Sequence, residues 1–411
     1  MRTPDVDPAP APAAPACRCA AAVSTAEPLD AALRTAVAEA FARLGGDGPA
    51  DLGVVFVTGS HGHAIRSACE GLADLVPARA LIGATAEGVL AGDTEHERGP
   101  AVAVWLARLP GALVHPLALE YEQTRDGGMF SGWPRALDGG WPDDATLLLL
   151  ADPFSFPVDG LLKRLAEDHP GLPVVGGMAS GALQPGGNTL VVGDRTYDSG
   201  AVGVVIGGGV RVRPVVSQGC RPIGRPLVIT KAQDNLIVEL GGRPALERLR
   251  EIYGELTEAD RDLVRSSLHV GRAASEYHDE FRRGDFLVRT VAGADPDSGV
   301  IAVGDLVRTG QTIQFHVRDA RTAHDDLVEL LERERARGSA AAGALVFTCN
   351  GRGRRLFDTP HHDARCLQEQ LGPIGAAGFF AQGELGPIGR LNCVHGFTAS
   401  IALFEPAIDR A

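Results

Sequence analysis

Val54-Val55-Phe56-Val57-Thr58 is an apolar run that leads through a loop and a helix-like stretch into Leu81-Ile82-Gly83-Ala84-Thr85-Ala86-Glu87-Gly88. A third apolar run, Ala101-Val102-Ala103-Val104-Trp105, follows after a loop of small residues. This order predicts a strand, a helix and a second strand, and then a third strand. The glycines at the strand ends are positions where a backbone can approach a ligand closely.

The same layout occurs twice more, over residues 147–205 and 345–401. Thr58 and Gly83 are 25 positions apart, and so are Ala151 and Gly176. A repeated spacing of this kind indicates a repeated supersecondary unit. Each unit should form a parallel strand pair with a right-handed crossover, and the third strand should be antiparallel. The predicted fold class is therefore α/β or α+β, with mixed β-sheets covered by helices and built from repeated β-α-β-β units.

A chain of 411 residues is long enough for two domains. We interpret residues 1–16 as a disordered Pro/Ala-rich tail, residues 17–215 as the first domain and residues 216–411 as the second. Residues 211–217 and 227–240 lack the repeat and alternate like antiparallel strands. Helices are predicted over residues 28–44, 64–75, 158–167, 245–253, 258–267 and 323–337.

Composition narrows the class of protein. The net charge is −13, which argues against nucleic acid or an anionic membrane as the main partner. Only Lys163 and Lys231 are lysines, and Ala, Gly and Pro are abundant, so we attribute the many arginines to a GC-rich coding bias. The seven cysteines are sparse, and we find neither a signal-peptide pattern nor a membrane-spanning stretch. We expect a cytoplasmic bacterial protein with free thiols.

The segment Cys349-Asn350-Gly351-Arg352-Gly353 follows a predicted strand, where ligands gather in α/β proteins. Two glycines allow successive N–H groups to point the same way and bind an anion. Arg352 adds a planar fork that suits a carboxylate or a phosphate. The alternative is a tight turn with a solvated arginine.

Cys349 is also a candidate nucleophile, because a nearby cation would lower its pKa and expose the thiolate. His361, His362 or His395 would then be the base. The alternative is a small buried hydrophobic residue at a strand end.

Glu384 is a lone acid between glycines, shortly after Gly378-Phe379-Phe380, and it suits an amine. If its loop and the Cys349 loop belong to one pocket, a zwitterion fits. Phe380 and His395 complete the predicted ligand-binding set; the alternatives are a surface turn for Glu384 and a half-buried, hydrogen-bonded His395 at the start of the last strand. Weaker ligand-binding candidates are Gly83, Gly176 and Gly177.

Metal and cofactor motifs are weak in this chain. His361-His362-Asp363-Ala364-Arg365-Cys366 offers close ligands, but a zinc site needs a second pair at motif spacing. Cys17 and Cys19 fall on one face of a short first strand and suit core packing, and the acidic loop of residues 93–97 suits solvation. Without a Walker loop, a dinucleotide fingerprint or a nucleophile elbow, we expect no metal and no cofactor.

These residues together resemble the FIST family, a two-part sensory domain named for F-box and intracellular signal transduction proteins. The N-terminal part resembles residues 53–205 and the C-terminal part resembles residues 225–393. The most specific marks are the Cys349 loop, residues 378–387 and His395-Gly396-Phe397-Thr398.

The resemblance implies an intracellular sensor that binds a small ligand, with amino acids proposed, and it supplies no catalytic set. It leaves only a short tail outside its two parts, so we expect a protein partner or an oligomer to pass on the signal. Two other hypotheses stay open: a protein-interaction scaffold that uses the central helices, and an enzyme that uses Cys349.

Overall fold

The computed structural model describes residues 17–61, 64–125, 127–276, 281, 284–338 and 341–407, so the predicted tail of residues 1–16 lies outside it. None of the helices in these ranges is long and apolar enough to cross a membrane. The helices are α1 (Leu29–Leu44), α2 (Ala64–Glu70), α3 (Leu72–Leu75), α4 (Val158–Asp168), α5 (Ala245–Glu255), α6 (Glu258–Ser267), α7 (Ala320–Ala336) and α8 (His362–Leu371).

The strands of the N-terminal half are β1 (Arg18–Ser24), β2 (Ala50–Thr58), β3 (Ala78–Ala86), β4 (Val89–Ala91), β5 (Thr94–His96), β6 (Val102–Arg108), β7 (Ala112–Thr124), β8 (Gly127–Ser131), β9 (Thr146–Ala151), β10 (Val174–Met178), β11 (Leu190–Val192), β12 (Arg195–Tyr197) and β13 (Ala201–Gly208). Those of the C-terminal half are β14 (Val210–Gln218), β15 (Cys220–Gln233), β16 (Leu236–Leu240), β17 (Arg243–Pro244), β18 (Leu268–Ala273), β19 (Phe286–Ala294), β20 (Ile301–Val303), β21 (Thr312–Arg318), β22 (Gly343–Cys349), β23 (Gly375–Ala381), β24 (Glu384–Ile388), β25 (Leu391–His395) and β26 (Thr398–Pro406).

Three units of the same topology build most of the molecule: residues 18–108, 112–208 and 210–406. Each begins with a strand that pairs with the unit's final strand. Between the two lie a parallel strand pair connected by helix and a hairpin. The parallel pairs are β2–β3, β9–β10 and β22–β23, and the final strands β6, β13 and β26 pair antiparallel with β2, β9 and β22. The predicted repeat, its parallel pairs and its antiparallel third strand are confirmed.

The units exchange their hairpins in a cycle. Hairpin β4–β5 of the first unit pairs with β23 of the third, β24–β25 of the third pairs with β10 of the second, and β11–β12 of the second pairs with β3 of the first. Each unit's sheet is therefore extended at one edge by another unit. The predicted boundary after residue 215 falls within β14, which pairs along its length with β26.

The three sheets share one core between their inner faces. Phe56 from the first sheet lies 4.9 Å from Phe379 and 6.4 Å from Phe347 of the third, measured between ring centroids. Trp105 is fully buried against Phe404 in the same cluster. The outer faces are covered separately, by α1–α3 on the first sheet, α4 on the second and α7–α8 on the third. Mixed sheets covered by helices are thus confirmed.

The third unit contains an inserted antiparallel barrel between β14 and α7. Its order is β15-β21-β18-β19-β20-β16, and it closes because β16 also pairs with β15. The helices predicted over 245–253 and 258–267 are α5 and α6, which lie on this barrel. The alternating residues 227–240 are part of two strands rather than one, because Asp234 has a φ of 51° and turns the chain between β15 and β16.

Candidate functional site

The Cys349 loop follows β22 at the carboxyl end of the parallel pair β22–β23, as the sequence predicts. Its sharp turn depends on Gly353, which has a φ of 55°. A Cβ there would lie 2.6 Å from the Cδ of Glu97, a residue of the first unit. The loop therefore lies where the first and third units meet.

The loop binds anions, but these anions are carboxylates of the chain itself. The Arg354 N–H lies 3.0 Å from Oε1 of Glu97. Arg352 is fully buried, and its Nε and Nη2 donate to the two oxygens of Asp363 at 2.7 and 2.8 Å. Both features that predicted an anion site, the backbone donors and the guanidinium fork, are therefore engaged within the fold.

Asp363 is the centre of a buried polar cluster. It also accepts hydrogen bonds from Thr348 Oγ1 at 2.6 Å and His362 Nδ1 at 2.9 Å. Burial alone would raise the pKa of Asp363, but the charge and hydrogen bonds of Arg352 outweigh it and hold that pKa well below its usual range. Asp363 is thus a carboxylate at neutral pH and keeps Arg352 in place.

Glu384 and Cys349 lie beside Arg352, so the two loops named in the sequence analysis do meet. Glu384 is fully buried, and its Oε2 accepts from the Thr398 N–H at 3.1 Å. Burial raises the pKa of Glu384 well above its usual range, and Thr398, Cys349 and Arg352 offset only part of this. Within the described residues, Oε1 of Glu384 and Nη1 of Arg352 have no hydrogen-bond partner.

Cys349 is held as a thiol. Burial and then the neighbouring Glu384 raise its pKa to about 12, although the Gly351 N–H donates to Sγ at 3.4 Å. A nucleophilic cysteine needs the thiolate. This environment favours the packing interpretation of Cys349 over the catalytic one.

Two more residues of the predicted ligand-binding set, His395 and Phe380, are buried. His395 ends β25 instead of beginning the last strand, and its Nε2 lies 3.0 Å from the carbonyl oxygen of Gly386. Burial lowers the pKa of His395 to about 4, so the ring is neutral at pH 7. Phe380 lies in β23, where its N–H donates to the Gly88 carbonyl at 2.9 Å.

The weaker glycine candidates lie inside strands. A Cβ on Gly83 in β3 would come within 2.5 Å of the Val55 carbonyl oxygen, and one on Gly176 in β10 would collide with the Leu149 carbonyl. A Cβ on Gly177 would lie 3.1 Å from the Phe379 ring. These positions need glycine because neighbouring strands and sheets approach closely. Their contact with a ligand stays a prediction.

The histidine cluster after the loop is held by hydrogen bonds. His361 Nδ1 accepts from the Glu95 N–H at 2.9 Å, and His362 Nε2 lies 3.0 Å from His324 Nδ1. Cys17 and Cys19 are free thiols. Among the residues that the structure describes, no group of three or more His, Cys, Asp or Glu side chains is arranged to hold a metal ion.

A cavity of about 640 Å³ opens on the other side of the Cys349 loop, between the barrel and the third unit. Arg318 from the end of β21 and Arg355 from the loop line it, together with Phe397 and His269. Nη1 of Arg318 lies 3.2 Å from the position of a Cβ on Gly351, which places the cavity against the loop. Its remaining lining includes Ser266, Ser267 and Thr290.

The cavity side chains are held by neighbours from several parts of the molecule. Arg318 Nη2 donates to the Arg355 carbonyl at 2.7 Å, and Arg355 Nη1 donates to the Asn350 carbonyl at 2.6 Å. The same Nη1 lies 3.1 Å from Oε2 of Glu87 in the first unit. The barrel, the third unit and the first unit therefore all contribute to this region.

Phe397 and His269 form the aromatic wall. Phe397 has a φ of 64°, which is rare for a residue other than glycine, and its ring lies 4.3 Å from that of His269. His269 Nδ1 lies 2.7 Å from the Ser267 carbonyl oxygen. A carbonyl only accepts, so Nδ1 carries the proton and Nε2 is an acceptor. Burial lowers the pKa of His269, and the hydrogen bond with the Ser267 carbonyl offsets only part of this, so the ring is neutral at pH 7.

The sequence motifs did not point to Arg318, Arg355 or His269 as site residues, and they contained Phe397 only as a mark of the family resemblance. Arg355 lies two residues beyond Gly353, and extending that motif would have found it. Arg318 and His269 belong to the barrel, which no repeat pattern connects to the Cys349 loop. Only the tertiary structure brings these two residues to the cavity.

Two family models and several proteins of similar sequence match this chain. Residues 51–243 match the model of the FIST N domain, and residues 245–387 match that of the FIST C domain. A protein of Mycobacterium tuberculosis described as uncharacterized is 43% identical over 383 residues, which is 93% of this chain and 98% of the relative. An uncharacterized protein of Mycobacterium bovis is 43% identical over 372 residues, 90% of this chain and 94% of the relative.

Proposed function

The chain belongs to the FIST family, a family of signal-transduction domains, and on that premise we propose that it is a cytoplasmic sensor that binds a small carboxylate ligand, such as an amino acid. The observation that carries the proposal is the cavity in which Arg318 and Arg355 converge beside an aromatic wall. Its volume of about 640 Å³ suits a metabolite-sized ligand.

The recognition chemistry follows from the lining. Arg318 offers a planar fork that matches a carboxylate. The fork of Arg355 holds the Glu87 carboxylate through Nη1 and Nη2, so a ligand carboxylate would compete with Glu87 for it. His269 Nε2 and the hydroxyl groups of Ser266 and Thr290 are acceptors for a ligand ammonium or hydroxyl group. The faces of Phe397 and His269 suit the apolar part of the ligand. The zwitterion inferred from the sequence therefore fits here, with the ligand carboxylate on Arg318 and Arg355 in place of Arg352.

The position of the cavity suits a sensor. A ligand that binds Arg355 competes with or reinforces its contact with Glu87, and so acts on the junction between the first and third units. A ligand changes a conformational equilibrium only by binding one state more tightly than another. Signal output would pass to a protein partner.

The test is a binding screen of the purified protein against the common amino acids and simple carboxylates, by thermal shift and then by calorimetry. A ligand at a hundredfold excess over its dissociation constant should stabilise the native state by about 2.7 kcal/mol. The Arg318→Gln/Arg355→Gln double variant should lose this stabilisation. Arg225→Gln, an exposed arginine of the barrel, is the matched control and should keep it.

Two outcomes would contradict the proposal. Equal affinity in the double variant would place the ligand elsewhere, and no binding across the panel would reject the ligand class. In the second case, a stable complex recovered without small ligand would favour the scaffold hypothesis.

A further inference from the structure

An aromatic groove on the second unit takes no part in the site above. It encloses about 700 Å³ between α4 and the segment that follows β7. Trp133 and Trp141 line it with ring centroids 5.5 Å apart, and Trp141 lies 4.4 Å from His169. Phe130, Tyr121 and the half-exposed Met129 extend the apolar surface.

The groove exists because the described residues between β7 and β9 form no α-helix, whereas the other two units have one in the same connection. Between the unit's first strand and the parallel pair, the first unit has α1 with 16 residues and the third has α7 with 17. The second unit has β8 and a 3₁₀ turn, Arg135–Leu137, in that connection. Leu137 and the two tryptophans cover the outer face of the sheet instead, and a channel remains beside α4.

The lining suits an extended proline-rich segment. Proline-rich chains adopt the polyproline II conformation and bind grooves lined by aromatic rings. Pro134 and Pro157 also line the groove. Its charged residues are of both signs, Lys163 and Arg164 beside Asp138, Glu167 and Asp168, so charge does not select the occupant. A proline-rich segment would therefore be recognised by the aromatic rings.

The chain itself has a segment of this composition. Residues 1–16 contain Asp5 and Asp7 and five prolines, and Pro12-Ala13-Ala14-Pro15 separates two of them by three positions. Polyproline II has three residues per turn, so Pro12 and Pro15 would share one face. The prolines are Pro4, Pro8, Pro10, Pro12 and Pro15.

The described chain begins at the end of the molecule where the groove lies. Arg18 in β1 is paired with Arg108 at the end of β6. Shortly after Arg108, the carbonyl of Gly111 accepts from the Gly209 N–H at 3.1 Å. A Cβ on Gly207 would lie 2.7 Å from Pro142, the neighbour of Trp141. Sixteen residues at about 3.1 Å each span roughly 50 Å, against a radius of gyration of roughly 22 Å expected for this length.

We propose that the aromatic groove binds residues 1–16 of the same chain, with the prolines packed against Trp133 and Trp141. The groove is then covered by a segment from the start of the chain, in place of the helix that covers the other two units.

Tryptophan emission tests this directly, because two of the three tryptophans line the groove and Trp105 is fully buried. The experiment compares acrylamide quenching of the full-length protein with a variant in which Pro8, Pro10, Pro12 and Pro15 are replaced by alanine. We expect a larger quenching constant and a red shift in the variant, independent of protein concentration. Pro185→Ala, in an exposed loop, is the control and should behave like the parent.

A synthetic peptide of residues 1–16 should then restore protection of the variant in a saturable manner, and an alanine-substituted peptide should not. Calorimetry of this peptide with the four-alanine variant carrying Trp133→Phe and Trp141→Phe should show weaker binding. Identical quenching in parent and variant would overturn the proposal. If the peptide bound the groove while quenching stayed identical, the groove would serve a proline-rich segment of another chain, and the intramolecular proposal would be overturned as well.

Discussion

Arg352 and Arg355 are three positions apart in one loop, yet their environments are opposite. Arg352 is fully buried and holds Asp363 with two hydrogen bonds. Arg355 has 55% of its side chain exposed and lines a cavity. An anion-binding motif therefore does not by itself indicate a ligand site. Both arginines hold a carboxylate of the chain, but the pair of Arg352 with Asp363, on the inner side of the loop, is buried, whereas the pair of Arg355 with Glu87, on the outer side, is exposed to solvent, where a ligand can compete for it.

The largest effect is expected from the inner arginine. Arg352→Ala should cost about 3–5 kcal/mol of unfolding free energy, because it leaves the Asp363 carboxylate buried without its partner. Urea denaturation measures this. Arg352→Met combined with Asp363→Leu is the control and should regain much of the loss, since a buried pair can be replaced by apolar groups. A loss below about 1 kcal/mol in the single variant would mean that Arg352 is not structural.

The reactivity of Cys349 tests the inner side in another way. A thiol with a pKa of about 12 is ionised roughly a thousandfold less often at pH 7 than an ordinary cysteine. Iodoacetamide labelling of the native protein, mapped by mass spectrometry against the denatured protein, should therefore find Cys349 slow to react. Labelling faster than free cysteine would revive the catalytic hypothesis.

The pH dependence of stability tests whether Glu384 is protonated in the native state. Its pKa is raised by burial, so the unfolded chain ionises first and the native state loses stability as pH rises above about 4.3 toward the folded pKa. Glu384→Gln should remove this loss. The free energy of unfolding of the variant should therefore rise relative to that of the parent between pH 5 and 8. Each unit between the two pKa values corresponds to about 1.4 kcal/mol.

The measurement for Glu384 is the difference in urea midpoint between parent and variant. Glu95, whose pKa is raised to about 8 mainly by burial, titrates in both proteins, and the difference removes its contribution. If the stability of the parent instead rose relative to that of the variant with increasing pH, Glu384 would be ionised and paired with Arg352.

The smallest effect on stability is expected from the outer arginine. Arg355→Ala should cost less than about 1 kcal/mol, because its pair with Glu87 is exposed to solvent. Ligand affinity, in contrast, should fall in this variant. Urea denaturation and calorimetry on the same samples separate the two effects. A stability loss as large as that of Arg352→Ala would abolish the distinction between the two sides of the loop.

Much of the fold was predictable because it depends on local patterns. The repeated strand and helix periods identified three units, and the carboxyl end of β22 was expected to hold the loop. The condition set for the Cys349 and Glu384 loops was a shared pocket. The loops do meet, but Arg352 and Glu384 lie fully buried in a polar cluster, so the shared ligand pocket stays a prediction. The burial of Arg352 was not anticipated. Its partner Asp363 lies on α8 and had been considered only as a neighbour of candidate metal ligands. The pairing of Arg352 with Asp363 depends on how α8 packs.

The sequence by itself determined the three units, their strand directions, the two barrel helices and the family, since all of these follow from spacing and residue type along one stretch of chain. Only the tertiary structure decided which hairpin joins which sheet, that the strands of residues 220–318 close into a barrel, and that Arg318 meets Arg355. The physical reason is that strand edges and arginine forks accept any partner of suitable geometry. The partner that each one contacts depends on how distant segments pack, and local sequence periodicity carries no information about that packing.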